Sequence, residues 1–148
     1  MVAEMAFNET MQKSPLLIAV SCGLLVQIVK GIAFLLREKR VNFKRFVQTG
    51  GMPSSHAAAV CALSTAVGNL QGYSSPLFHA TAFFSFIVMF DAAGVRRAAG
   101  RQAATLNRLI HEHLKRAREE RLLELLGHTP FEVFVGAALG ILYALAWF

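Results

Sequence analysis

From Pro15 to Leu36 the chain is apolar except for Gln27 and Lys30, which lie toward the far end of the run. A hydrocarbon layer of ~30 Å, crossed at ~1.5 Å per residue, takes about 20 apolar residues. This run is therefore long enough to span a membrane. It also exceeds the core of a signal peptide, and no small-x-small cleavage site closes it. Three further runs follow: His56 to Leu70, Leu77 to Val95, and Phe131 to Phe148. In a chain of 148 residues, four such runs leave no room for a large domain outside the membrane. The composition agrees, since 55% of the residues are hydrophobic and 16% charged, against about 25% charged in a typical soluble domain. The expected fold is all-α. One integral membrane domain fills residues 1–148, a polytopic helical bundle of about four transmembrane helices (15–36, 56–71, 77–95 and 131–148) with a cytoplasmic amphipathic helix over about 100–126. The second run is short and rich in alanine, which suits a helix buried among others. Cys22 and Cys61 both lie in apolar stretches, so no disulfide framework or metal-binding cysteine pair is expected.

The net charge is +6. In a chain this apolar, that charge fits membrane lipids or a phosphorylated lipid substrate better than a nucleic acid. Of 15 Lys and Arg residues, five fall between spans one and two (Arg37, Lys39, Arg40, Lys44, Arg45) and eight between Arg96 and Arg121. The positive-inside rule makes that face cytoplasmic and puts both termini on the other. The N-terminus, with Glu4 and Glu9, does not resemble an organelle transit peptide, and a bacterial cytoplasmic membrane is the default. In the polar segment Leu106, Leu109, Ile110 and Leu114 recur at helical spacing, with Glu112 and Arg116 four residues apart. Such a helix can lie on the headgroups, pair with a copy of itself in a homo-oligomer, or cover a site.

Ionisable residues in or beside a span are functional candidates, and in this topology they converge at the cytoplasmic edge. Lys30 and Arg37 close span one, Pro53-Ser54-Ser55-His56 opens span two, Asp91 and Arg96-Arg97 close span three, and His128 and Glu132 open span four. Lys30 lies a turn and more inside, where a cation needs an anionic partner. Gly50-Gly51-Met52-Pro53-Ser54-Ser55-His56 has the makings of an anion site. Its glycines allow close backbone approach, Pro53 suits a first helical turn, and the free N–H groups of a helix start favour negative charge. His56, at the helix mouth, is placed to give a proton to a leaving oxygen. The arginine forks suit phosphate oxygens, and Asp91 wants a cation, either one of the arginines or a metal. His128-Thr129-Pro130-Phe131-Glu132 reads in two ways. It is a capping box with Thr129 as N-cap, or a pair in which Glu132 fixes the His128 ring for attack on phosphorus. The two fit together if one carboxylate oxygen caps while the other reaches the ring.

The pattern Lys30-x6-Arg37, Pro53-Ser54-Ser55-His56, an arginine and His128-x3-Glu132 resembles the three motifs of the type 2 phosphatidic acid phosphatase superfamily: Lys-x6-Arg-Pro, Pro-Ser-Gly-His and Ser-Arg-x5-His-x3-Asp. The runs around Gly50, Asp91 and Leu126 resemble its short divergent branch more closely. The resemblance covers Lys30 to about Gly140. It implies that His128 is the nucleophile, that Glu132 orients it, and that His56 is the acid for the leaving group. Lys30, Arg37, Ser54, Ser55 and Arg96 or Arg97 would bind phosphate, with Gly51 and Asp91 in support. The departures are Glu38 in place of proline, Ser55 in place of glycine and Glu132 in place of aspartate. No serine precedes the arginine, and the stretch 98–127 stands where the motif has five residues. Pro130 disfavours helical geometry at Thr129, so His128 is expected to precede the helix.

The function expected on this basis is hydrolysis of a phosphomonoester or pyrophosphate on a lipid, of the phosphatidate, phosphatidylglycerophosphate or polyprenyl phosphate type, through a phosphohistidine. No cofactor is required. Magnesium held by Asp91 and Glu132 is a subsidiary alternative, since hard carboxylate oxygens suit that ion. From other classes, a catalytically silent lipid-phosphate scaffold and a small transporter component compete with this reading.

Overall fold

The computed structural model describes residues 14–38, 51–113, 122 and 126–148. These form five helices: α1 (Pro15–Glu38), α2 (Ser55–Gln71), α3 (Pro76–Ala93), α4 (Val95–His113) and α5 (Pro130–Leu145). No strand occurs among the described residues, and the fold is an all-helical bundle.

Small side chains put α2 at the centre. Ala57, Ala58, Cys61, Ala62, Ala66 and Val67 are buried along it, and it packs most closely against α5, then α1, then α3. Small residues let helix backbones approach closely, which is how helices associate where burial from water gives no drive. Gly136 and Gly140 show this directly. A side chain at Gly136 would strike the carbonyl of Ser54, and one at Gly140 the carbonyl of Ala58. The two glycines are one helical turn apart on α5, and the two carbonyls one turn apart on α2. Against α1, a Cβ added at Gly23 would lie 3.2 Å from that of Ala59.

α1 and α3 bury only one stripe each. On α1 the buried residues Ile18, Cys22 and Val26 recur every fourth position, whereas Leu16, Leu24 and Leu36 are exposed. On α3 only Ser85 and Ala92 are buried. The Ser85 hydroxyl lies 2.8 Å from the Val60 carbonyl of α2, where it donates. Exposed apolar faces on helices of this length mark surfaces that do not meet water. The Pro15–Leu36 window has a mean hydropathy of 2.1, and the α3–α4 stretch, Pro76–Ile110, contains a second apolar window.

The boundaries differ from the sequence expectation where capping decides. Ser54 caps α2, so its helix begins at Ser55, and Pro53 lies before the cap, joined to Met52 by a cis peptide, rather than in the first turn. Gly72, with φ +88°, ends α2, and Ser75 caps α3 with Pro76 in its first turn. α3 stops at Ala93, not at residue 95. Gly94 follows, and Arg96 and Arg97 stand in the first turn of α4 rather than at the end of a span. The amphipathic helix therefore starts at Val95 instead of about 100. Residues 114–121 and 123–125 of that segment lie outside the described residues.

Replacing Gly140 by valine is expected to lower stability by about 1–3 kcal/mol or more, the cost of overpacking a tight contact. Leu142→Ala, on the exposed face of α5, should stay within about 0.5 kcal/mol of wild type. Thermal unfolding in detergent reads both, and equal effects would contradict the α2–α5 contact.

Candidate active site

The start of α2, the start of α5 and the junction of α3 with α4 meet at one end of the bundle. The backbone N–H of Ser54 donates to the Glu132 carbonyl at 3.2 Å, and that of His128 donates to the Ala92 carbonyl at 2.9 Å. Gly127, with φ +85°, makes the second contact possible. A Cβ there would run into the backbone of Arg96 and Arg97. His128 thus precedes α5, as Pro130 implies, and is fixed to α3 rather than to its own helix.

His128 is 3% exposed. Its Nδ1 lies 3.4 Å from Oε2 of Glu132, beyond the usual range of an N–H···O bond. Glu132 completes a capping box: the Thr129 N–H donates to the same Oε2 at 2.9 Å, while the Glu132 N–H donates to the Thr129 hydroxyl at 3.3 Å. One oxygen therefore serves cap and ring together, where the sequence suggested that the two oxygens would divide these tasks. The ring's Nδ1 and Nε2, and Nζ of Lys30, are buried without a hydrogen-bond partner among the described residues.

Lys30 reaches the loop before α2. A Cβ on Gly51, whose φ is +95°, would lie 3.3 Å from its Cε and 4.0 Å from its Nζ. Its ammonium is in electrostatic reach of Glu132, His128 and His56. His56 is exposed and also feels Arg96 and Asp91. Residues from five helices and two connecting segments are thereby gathered: Lys30, Gly51, His56, Asp91, Arg96, His128 and Glu132.

The remaining sequence candidates are placed differently. Asp91 takes an arginine as its cation, accepting from Nε of Arg96 at 2.6 Å in a partly exposed pair. Among the described residues no cluster of three or more His, Cys, Asp or Glu suited to a metal occurs. Ser54 is wholly buried, and its hydroxyl accepts from the Ala57 N–H. It is turned into the helix start rather than toward an anion. Ser55 is half-buried and Arg97 exposed. Arg37 belongs to α1, but its side chain, like Gly50, lies outside the described residues. A groove of about 500 Å³ on α4, lined by Ala98, Arg101, Gln102, Thr105 and Leu106, includes none of the gathered residues.

The family model described as "Divergent PAP2 family" matches residues 11–143. The chain belongs to that family. It is also 39% identical over 150 residues to the "Uncharacterized membrane protein YuiD" of Bacillus subtilis (strain 168), covering 93% of this chain and 95% of the relative. No solved structure matches it. With its long apolar helices, this member of the divergent PAP2 family is an integral membrane protein.

Sequence reading of the site missed the residues that hold it together. Gly136-x3-Gly140 is a small-x3-small signal for helix contact, and Gly127 before a histidine and a proline marks a turn. Both were available in the sequence.

Burial holds the His128 ring below the ordinary imidazole range, aided by the Lys30 charge, while Glu132 acts in the opposite direction. The unfolded chain then binds a proton at about pH 6.5 that the folded one resists. Stability from this group is complete above that pH and is lost as pH falls through the folded-state value. In denaturation curves between pH 7.5 and 5, wild type should lose more stability than His128→Gln. Parallel curves would show that the ring is not buried neutral.

Proposed function

We propose that this protein is a membrane-embedded phosphatase that hydrolyses a phosphomonoester or pyrophosphate on a lipid. The observation that carries this reading is the neighbourhood of His128. A buried imidazole backed by a carboxylate on one side stands in reach of a buried, unpaired ammonium and a glycine loop. Buried charges are normally paired, and a phosphate would supply the anion that Lys30 lacks.

In the proposed cycle, Glu132 favours the tautomer with the proton on Nδ1, so the Nε2 lone pair attacks phosphorus. The P–O bond to the leaving group breaks as the P–N bond forms. The leaving oxygen takes a proton from the His56 imidazolium. Water then attacks the phosphohistidine and gives a proton to His56, and cleavage of the P–N bond returns the pair to Nε2. Lys30 and Arg96, with the N–H groups at the start of α2, hold the charge that gathers on the equatorial oxygens; Ser55, Arg97 and Arg37 extend this set. The chemistry needs no metal.

Exposed Phe90, Phe131, Phe134 and Met52 neighbour the gathered residues in sequence, which suits a phosphate carried on a lipid. With the four apolar runs as spans, the distribution of basic charge puts this site at the cytoplasmic edge and both termini outside. One observation favours a second reading. His128 at 3% exposure is poorly accessible to substrate, as in a silent lipid-phosphate binder.

Phosphate release by the purified protein from phosphatidate, phosphatidylglycerophosphate and polyprenyl diphosphate separates the two. Release is expected from at least one, to persist in chelator, to vanish in His128→Ala, and to fall about a hundredfold or more in His56→Ala. No release from any of them, with lipid binding intact in His128→Ala, would favour the binder.

A further inference from the structure

His128 has no place in the hydrogen-bond ladder of α5, and its backbone is held by Ala92 on another helix. Its ring orientation must therefore come from side chains. The carboxylate beside it is that of Glu132, with Oε2 3.4 Å from Nδ1. Glu132 in turn has two positive or proton-rich neighbours competing for its carboxylate: the His128 ring and the Lys30 ammonium. Lys30 is the stronger attractor, since it carries a full charge and lacks a partner. What keeps Oε2 at the ring is the Thr129 N–H, 2.9 Å away. That N–H is aimed by the other half of the box, in which the Thr129 hydroxyl accepts from the Glu132 backbone.

We propose that Thr129 is a positioning residue for the reaction: its capping box holds Glu132 Oε2 against Nδ1 of His128 and away from Lys30. The inference rests on the phosphatase reading for its kinetic consequence, but not for its structural one. An N-cap is ordinarily a local device for satisfying free N–H groups. Here the same bonds decide which of two uses the carboxylate serves. With the cap intact, Glu132 sets the ring and Lys30 stays available to an anion. With the cap lost, the carboxylate is free to swing to Lys30, leaving the ring unoriented and the anion site neutralised.

The test compares Thr129→Val, which removes the hydroxyl at nearly constant shape, with Thr129→Ser, which retains it. Thr129 is exposed, so neither change disturbs a packed core. The first readout is the ring nitrogens of His128 in ¹⁵N-histidine-labelled protein in detergent, followed as a function of pH. The groups facing this ring are Lys30 from α1, His56 from α2 and Glu132 from α5. Of these only Glu132 favours the imidazolium, so its withdrawal moves the titration midpoint down. Thr129→Val should show this downward move and loss of the Nδ1–H preference, while Thr129→Ser keeps the wild-type behaviour. The second readout is phosphate release, where Thr129→Val should lose on the order of a hundredfold in kcat, the usual cost of a misplaced reacting group, and Thr129→Ser should rescue it. Unchanged His128 signals in Thr129→Val would overturn the proposal, as would a Thr129→Ser variant as impaired as valine. If wild type releases no phosphate yet its His128 signals respond to Thr129→Val, the positioning stands and the phosphatase reading falls.

Discussion

The close approach of α2 and α5 is the contact on which everything else in this bundle depends. Gly136 and Gly140 present bare backbone to the carbonyls of Ser54 and Ala58, and the Ser54 N–H donates to the Glu132 carbonyl at the mouth of the same groove. Two helix starts are thereby brought to one end of the molecule in fixed register. One carries His56 and the glycine loop before it; the other carries His128 and Glu132. A side chain larger than hydrogen at either glycine would separate them, so the packing between helices and the geometry of the site are a single constraint.

A second consequence follows from what that register leaves incomplete. Among the described residues, polar groups mostly find partners: Ser54 and Thr129 cap their helices, Ser85 donates to the backbone, Tyr143 donates to Ser21, and Asp91 takes Arg96. Three of the four exceptions concentrate at one place, where the Lys30 ammonium and both ring nitrogens of His128 are buried without partners; the fourth, Nδ2 of Asn69, lies near the far end of α2. An unsatisfied buried charge costs several kcal/mol as an order of magnitude. Its persistence beside a glycine whose missing side chain makes room for it is the physical reason to look for an anion there.

Much of this was legible in the sequence because it rests on local rules. The long apolar run of α1, the alanines of a buried α2, the capping box at Thr129 and the arrival of Lys30, His56, Asp91 and His128 at one end follow from hydropathy, capping and order along the chain. What stayed illegible depends on tertiary geometry. Nothing local says that Ser54 turns its hydroxyl inward, because its neighbour Ser55 offers the same chemistry and only the packing of Gly136 distinguishes them. Nor does the motif reveal that one carboxylate oxygen serves both cap and ring. The end of α3 was placed too late because Val95 continues the apolar pattern, while Gly94 interrupts the helix before it.

The measurement closest to the central claim needs no knowledge of the lipid. Attack of His128 on inorganic phosphate would expel one oxygen as water, and hydrolysis of the phosphohistidine would return an oxygen from solvent. Purified protein incubated with ¹⁸O-labelled phosphate in ordinary water should therefore wash out the label, followed by ³¹P NMR, and His128→Ala should not. Retention of the label by folded wild-type protein at saturating phosphate, or equal loss in both proteins, would contradict a nucleophilic His128.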